Sequence, residues 1–519
     1  MDAHSLKLEA ASNRSIFAQV DVGSFWLVLA VLATNLVLYT AIPTIFASNL
    51  PLDAIEALYW GKEWQLGYFK HPPMSAWMIE SVVQLFGRSD WLIFASAQIC
   101  IILAVLPILL IVHERYGMRA SGYTALAVFL THFSTLTSVE YNVNIGFLPF
   151  WSWMVFTFLK AEGTDRIVWW SLFGLVSAGG MYGKYIAGVF LMSAALWTLL
   201  KRRDLLLRPG PYLAAAIFGI VVAPHVVWLV NSNFLPIEYA MSRTEDAGTA
   251  WYQHILMPIN YLVEFLYSVA PMLVALAIAA GWGRIKSISR LKLRSLTKPV
   301  WTDPFIFAVI GPIGVIAAIS MVLGAPIKTA WSIPLVIVFA GLIGISASVL
   351  EKETGSFKQR FLGSWVFLYG ALLLVFLGIF AFAPMVKSKP ARMQYDGPAL
   401  TRLVENYWYS HKKAPFEYIV GNRWSGGTVS WYASERPTLF ENANLMRSPW
   451  VNVEDLQNKG ALYVDYNEPT AKIAGMCVTD PQKVLWPMPN DRTYERHPEV
   501  WIAVLEPASG SSAVSCEGE

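Results

Sequence analysis

Apolar runs long enough to cross a bilayer recur through the first three quarters of the chain, with charge confined to the gaps between them. A hydrocarbon core of ~30 Å takes about 20 helical residues. Inside it every backbone polar group must be satisfied internally, so such runs fold as helices. The candidate spans are 25–46, 91–112, 120–139, 145–159, 167–181, 185–200, 212–230, 261–282, 305–323, 331–350 and 361–383. Composition agrees: 55% of the 519 residues are hydrophobic and 14% charged, where soluble domains carry about 25% charge. A soluble enzyme, a disordered chain and a coiled coil are excluded, and an outer-membrane barrel is disfavoured. A net charge of +3 gives no case for nucleic acid. Cys100, Cys477 and Cys516 match no metal-binding spacing.

Loop charge orients the spans. With the N-terminus cytoplasmic, the loops on its side hold 19 basic residues, densest at 201–208 and 284–298. The opposite loops hold 6: Lys62, Lys70, Arg88, Lys184, Arg243 and Lys328. Basic residues mark the cytoplasmic side, and an odd span count puts the C-terminus in the periplasm. The predicted layout is a cytoplasmic segment 1–24, a membrane module 25–383 with long periplasmic loops 47–90 and 231–260, and a periplasmic α/β domain 384–519. The first segment is polar and holds Lys7 and Arg14, unlike a cleaved signal peptide. Gly179, Gly180 and Gly183 beside Lys184 predict a tight turn, with one long tilted helix as the alternative. In the tail, 416–420, 461–464 and 500–505 read as strands and 398–411 as a helix. A disulfide between Cys477 and Cys516 is allowed there.

The first long loop concentrates chemistry. Asp53 and Glu56 are three apart, so on a helix they share its first turn. They can form a capping box and, without conflict, a carboxylate pair able to take a proton from a hydroxyl. Pro72 and Pro73 begin an amphipathic helix and place Lys70 at the bilayer boundary, as a snorkelling lysine or a phosphate ligand. Tyr59, Trp60, Trp64, Tyr68 and Trp77 fit an interfacial belt and equally a sugar-stacking surface. His71 reads as a turn residue. His225 lies within an apolar span, where an ionisable group is a functional candidate. Lys184 and Arg243 are a snorkelling lysine and a partner of Glu245 or Asp246, or else ligands for an anion.

The wording Leu52-Asp53-x-x-Glu56, then Trp60-Gly61-x-Glu63-Trp64-Gln65-x-Gly67-Tyr68-x-Lys70-His71-Pro72-Pro73, resembles the GT-C glycosyltransferases of the protein-O-mannosyltransferase-like superfamily, which includes the aminoarabinose transferase of lipid A. Within that superfamily it looks most like the rhizobial lipopolysaccharide galacturonosyltransferases. Lys184-Tyr185, Pro224 and Trp228 extend the resemblance. Many relatives carry Pro-Asp where this chain has Val143-Asn144, and Asn144 cannot take a proton. The resemblance therefore implies Asp53 as main acid or base, with Glu56 or Glu140 as the second carboxylate. It implies a bacterial inner-membrane enzyme that moves a sugar from a polyprenyl-phosphate donor to lipopolysaccharide core or lipid A on the periplasmic face. Lys70, Lys184 and Arg243 would hold the donor phosphate, and Tyr59, His71, Asn144, Tyr185 and His225 the substrate. No cofactor is implied, and a divalent cation is left open. Galacturonic acid asks for a further cation, from Lys62, Lys328 or Arg423. Aminoarabinose asks for a further acid, such as Glu63 or Glu238; mannose transfer by the same mechanism also stays open. A transporter or lipid flippase is the alternative of a different class, although paired halves and broken midplane helices are not evident.

Overall fold

The computed structural model describes residues 21–242, 250–281, 302–386, 390–489 and 498–506. The first helix, α1 (Val22–Phe46), starts at Asp21, whose carboxylate accepts the Ser24 amide. Two short helices of the first loop follow, α2 (Leu52–Gly61) and α3 (Met74–Phe86). Next come α4 (Asp90–Tyr116) and α5 (Met118–Val128), joined at Gly117. Its φ of 87° lies where a side chain is strained, so the chain reverses in one residue. The remaining helices of this part are α6 (Val143–Thr164), α7 (Ile167–Gly183), α8 (Ala187–Lys201), α9 (Pro209–Asn231), α10 (Leu235–Ser242), α11 (Gln253–Ala280), α12 (Pro304–Leu323), α13 (Ile333–Glu353) and α14 (Phe357–Leu377). Among the described residues, 7 helices are long and apolar enough to cross a membrane. The short α7 and α8 are separate helices, so the single tilted helix is excluded; the turn falls at Lys184–Ile186, one step later than expected, and Gly179, Gly180 and Gly183 lie in the last turns of α7.

One expected span is broken. The sequence predicts a single helix over 120–139, but α5 ends at Val128 and the chain continues through turns to Tyr141. Hydroxyls replace the helical ladder here: Thr135 donates to the Thr131 carbonyl at 2.6 Å and Ser138 to the Thr135 carbonyl at 2.6 Å. Such side chains offer the backbone a local alternative to the helix. Gln98 of α4, itself held by Asn35 of α1, donates to the Ser138 carbonyl at 3.2 Å. The irregular stretch is thereby satisfied by protein, the condition for non-helical backbone at membrane depth.

The C-terminal part holds α15 (Gly397–His411), β1 (Tyr418–Gly421), α16 (Ser425–Tyr432), β2 (Thr438–Glu441), α17 (Val453–Lys459), β3 (Ala461–Asp465), β4 (Lys472–Ile473), β5 (Met476–Leu485) and β6 (Glu499–Glu506). They form one sheet in the order β2-β1-β3-β6-β5-β4. Pairing is parallel on either side of β1 and antiparallel from β3 onward. The predicted helix and three strands coincide with α15, β1, β3 and β6. Cys477 is disulfide-bonded and Cys100 is free and buried; Cys516 lies outside the described residues.

The sheet domain is docked on the first loop. Helix α16 lies on α2 so closely that a Cβ on Gly427 would meet Ile55 at 2.8 Å. Asp90 accepts from Trp431 at 3.1 Å and Tyr432 at 2.6 Å, and Arg88 donates to the Ala433 carbonyl at 2.6 Å. Arg436 grips Glu80 through both nitrogens, at 3.0 and 2.8 Å.

Candidate active site

Between the first loop, the turns before α6 and α8, helix α10 and the sheet domain lies a cavity of about 610 Å³. Asp53, Glu56, Lys70, His71, Asn144, Lys184 and Tyr185 line it, so most of the residues singled out in sequence converge. Lys328 and Arg423 line it too. Its lining thus carries four cations against two carboxylates. Val189, Met192 and Ile319 form an apolar wall, and Met192 is exposed on α8, a helix of the membrane module.

Local structure explains each placement. Pro51 precedes α2 without a side-chain cap, and Asp53 stands exposed in its first turn. The capping-box expectation is therefore corrected: the helix starts at Leu52 with Pro51 as its N-cap, so Asp53 lies already inside the first turn, past the position from which a side chain caps. Glu56, one turn on, is buried and paired with Lys70 and Arg423. Tyr68 and His71 exchange backbone hydrogen bonds at 3.0 and 3.2 Å, a tight turn that folds Lys70 back against α2. Lys70 is 8% exposed and sits 4.9 Å from the centre of the Phe69 ring. It is not a snorkelling lysine. Arg423 follows β1, where Asn422 accepts the amides of Trp424 and Ser425 at 2.8 and 3.0 Å and opens the turn into α16.

Across the cavity, the Asn142 side chain caps α6, accepting the Asn144 and Ile145 amides at 2.8 and 3.2 Å. Asn144 then accepts from Lys184, whose ammonium lies 5.8 Å from the Trp331 ring. Tyr185 meets His225 at 3.1 Å, and the other ring nitrogen of His225 meets the Leu66 carbonyl at 2.8 Å. A carbonyl only accepts, so Nδ1 of His225 carries the proton and Nε2 receives the Tyr185 hydroxyl. The oxygen of Tyr185 is left with lone pairs for a donor in the cavity. Gly67 permits this arrangement: any side chain there would strike Trp228 at 2.3 Å, which stacks on His225.

Electrostatics separate the groups. Burial pushes the Glu56 carboxyl up, and Lys70 opposes the shift. Desolvation and then the Asp53 charge push Glu140 up. Burial, with the nearby positive charges of Lys184 and Lys70, pushes His71 down to about 3, so it is neutral. Burial pushes Lys184 down to about 7.

Not every candidate arrives. The Tyr59 hydroxyl donates to Glu441 at 2.8 Å and Tyr59 does not line the cavity; it ties α2 to β2. His225 reaches the cavity only through Tyr185. Lys62 donates to Thr438 at 3.1 Å, away from the cavity, while Glu63 accepts from Thr438 and Glu238 is exposed outside it. Arg243 lies outside the described residues. Among the described residues no group of three His, Cys, Asp or Glu side chains is arranged for a metal. Sequence reasoning missed Glu80, Arg436 and Glu441, which join the sheet domain to the loop through the Glu80–Arg436 and Tyr59–Glu441 pairs; only long-range pairing reveals them.

The profile of the family described as dolichyl-phosphate-mannose-protein mannosyltransferase matches residues 70–228, from Lys70 to Trp228. No curated protein sequence matches the chain. Among solved structures, ArnT from Cupriavidus metallidurans bound to undecaprenyl phosphate superposes with a TM-score of 0.60 over 96% of this chain and 99% of that one, at 12% identity. Its apo state gives 0.59 over 96% and 100%, at 13% identity. That coverage establishes the fold: a multi-pass helical membrane protein of the GT-C type with a C-terminal sheet domain.

Proposed function

We propose that the chain is a membrane glycosyltransferase that takes a sugar from a polyprenyl-phosphate donor and passes it to lipopolysaccharide core or lipid A. The observation that carries this reading is the convergence of Asp53 with Lys70, Lys184, Lys328 and Arg423 in one cavity with an apolar wall. The solved ArnT structure of the same fold is bound to undecaprenyl phosphate, which supports a lipid-linked donor. The family profile over residues 70–228 supports sugar transfer.

In the reaction, an acceptor oxygen attacks the anomeric carbon while the bond from that carbon to the phosphate oxygen breaks. Asp53, exposed to the cavity, takes the acceptor proton. Lys70 and Lys184 stabilise the charge that gathers on the leaving phosphate. The products are the glycosylated acceptor and polyprenyl phosphate. The reading keeps the N-terminus in the cytoplasm of a bacterial inner membrane and the sheet domain in the periplasm, from the asymmetry of loop charge.

Galacturonic acid is the sugar this reading favours. Beside Lys70 and Lys184, which face the phosphate in this reading, Lys328 also lines the cavity, where an ammonium can meet a sugar carboxylate. Aminoarabinose would need an acid, but Glu63 and Glu238 do not line the cavity. The test is transfer by the purified protein from polyprenyl-phosphate galacturonic acid, aminoarabinose and mannose onto lipid A or core, read by mass spectrometry. Preference for the uronic acid is expected. Transfer of aminoarabinose or mannose alone overturns the sugar, and transfer of none overturns the reading.

A further inference from the structure

Glu56 sits where an incoming anion would be expected to sit. A single oxygen of its carboxylate, Oε1, meets both Lys70 and Arg423, the latter at 3.5 Å. The two cations come from distant parts of the chain, Lys70 from the first loop and Arg423 from the turn after β1. All three side chains line the cavity. Glu56 and Lys70 are buried, while the Arg423 side chain is 40% exposed.

Two cations facing one buried carboxylate make an incomplete pair. The carboxylate requires at least one of them, because an unpaired buried charge is costly. It does not require both. A phosphate oxygen entering the cavity meets the same two donors that Glu56 holds, with the same geometry of one oxygen between two cationic groups. Lys70 can leave Glu56 without losing all its favourable contacts, since its ammonium lies near the faces of Phe69 and Trp60, at 4.9 and 5.7 Å. Arg423 can keep Glu56 paired meanwhile.

We infer that Glu56 is a resident counter-ion that competes with the donor phosphate for Lys70 and Arg423, rather than a group that exchanges protons with substrate. It neutralises the cations when the cavity is empty, yields Lys70 to the phosphate, and reclaims it as the spent polyprenyl phosphate leaves. Glu56 is thus a positioning residue that limits affinity for donor and product alike. The inference rests on the glycosyltransferase reading given above.

The experiment measures binding of undecaprenyl phosphate in detergent to the purified full-length protein and to Glu56→Gln, together with single- and multiple-turnover rates. Removing one negative charge beside the phosphate should tighten binding on the order of ten-fold or more. Steady-state turnover should then fall with KM, while the single-turnover rate is retained, because release has become slow. An unchanged or weaker affinity in Glu56→Gln overturns the inference, and so does a collapsed single-turnover rate, which marks a proton-transfer group. Should Glu56→Gln not fold, the comparison moves to Lys70→Gln with and without Glu56→Gln, where the Lys70 charge is not stranded. The double variant should bind more tightly, because Arg423 is freed; equal binding overturns the inference. Absence of saturable binding to the wild-type protein would instead sink the donor reading itself.

Discussion

Glu56 and Glu80 both come from the first loop, both are buried, and both meet an arginine of the sheet domain, yet they are paired in opposite styles. Glu80 gives one oxygen to each nitrogen of Arg436, at 3.0 and 2.8 Å, and accepts from Gln84 at 3.3 Å. Arg436 stacks 5.5 Å from the Trp431 ring and lies outside the cavity lining. Every charge there is answered. Glu56 offers one oxygen to two cations and faces the cavity. A bidentate, enclosed pair holds two parts of a protein together. A shared pair at the wall of a cavity is open to exchange with a ligand. The difference separates a joint from a site, although composition and burial alone make the two carboxylates look alike.

The largest expected effect is at Asp53, a carboxylate with no ion pair among the described residues, on the open side of that contrast. Asp53→Asn should lower sugar transfer on the order of 10²–10⁴, because an amide cannot accept the acceptor proton. Its melting temperature should match the wild type, since Asp53 caps nothing. Wild-type turnover in Asp53→Asn would move the base to Glu56 or to Glu140, which lies outside the cavity lining.

On the closed side, Glu80→Gln strands Arg436 against Trp431, and breaking a buried pair costs about 3–5 kcal/mol. Thermal melting in detergent should show that loss, while affinity for undecaprenyl phosphate in the folded fraction stays near wild type. A change in affinity as large as that of a cavity variant would erase the distinction between joint and site. Lys70→Ala sharpens it from the other direction. A charge-assisted hydrogen bond is worth about 1.5–3 kcal/mol, so donor binding should weaken roughly ten- to a hundred-fold. Lys62→Ala should leave it within about two-fold, because Lys62 bonds Thr438 and the Arg436 carbonyl instead.

The same contrast marks what could be read in the sequence. Helical spans were legible because lipid leaves the backbone few alternatives. The break after Val128 was not, although Thr131, Thr135, Thr137 and Ser138 carry its signal in hydroxyls that bond backbone locally. In the first loop, Asp53, Glu56, Lys70 and His71 were legible as a group since one short segment holds them. Tyr59 was misplaced because its partner, Glu441, enters from the distant β2. Lys62, Lys328 and Arg423 could not be ranked before folding, since only the docking of α16 on α2 carries Arg423 to the cavity and leaves Lys62 outside it. Local motifs gave the open site; the joint is built from pairs far apart in the chain.

The smallest effect tests whether Lys184, across the cavity, behaves as an open-site group. Burial has pushed its pKa from the usual lysine range down to about 7, and its hydrogen-bond partner Asn144 carries no charge to offset that shift. A folded-state pKa below the unfolded one means the native protein releases a proton that the unfolded chain keeps. Stability of the unliganded protein should therefore rise with pH between about 7 and the ordinary lysine value of 10.5. Binding runs the other way. A phosphate held by Lys184 needs the ammonium, so donor affinity should fall as pH rises through about 7, by at most about ten-fold per unit. The donor is the probe to use, because its phosphodiester keeps one charge across this range, whereas a monoester phosphate titrates near pH 6. His71 stays neutral throughout and adds no slope of its own. Lys184→Met should flatten both profiles. Opposite slopes in the wild type, both lost in Lys184→Met, would put Lys184 with Lys70 on the open side. A stability slope without a binding slope would make it a buried lysine held by Asn144 alone.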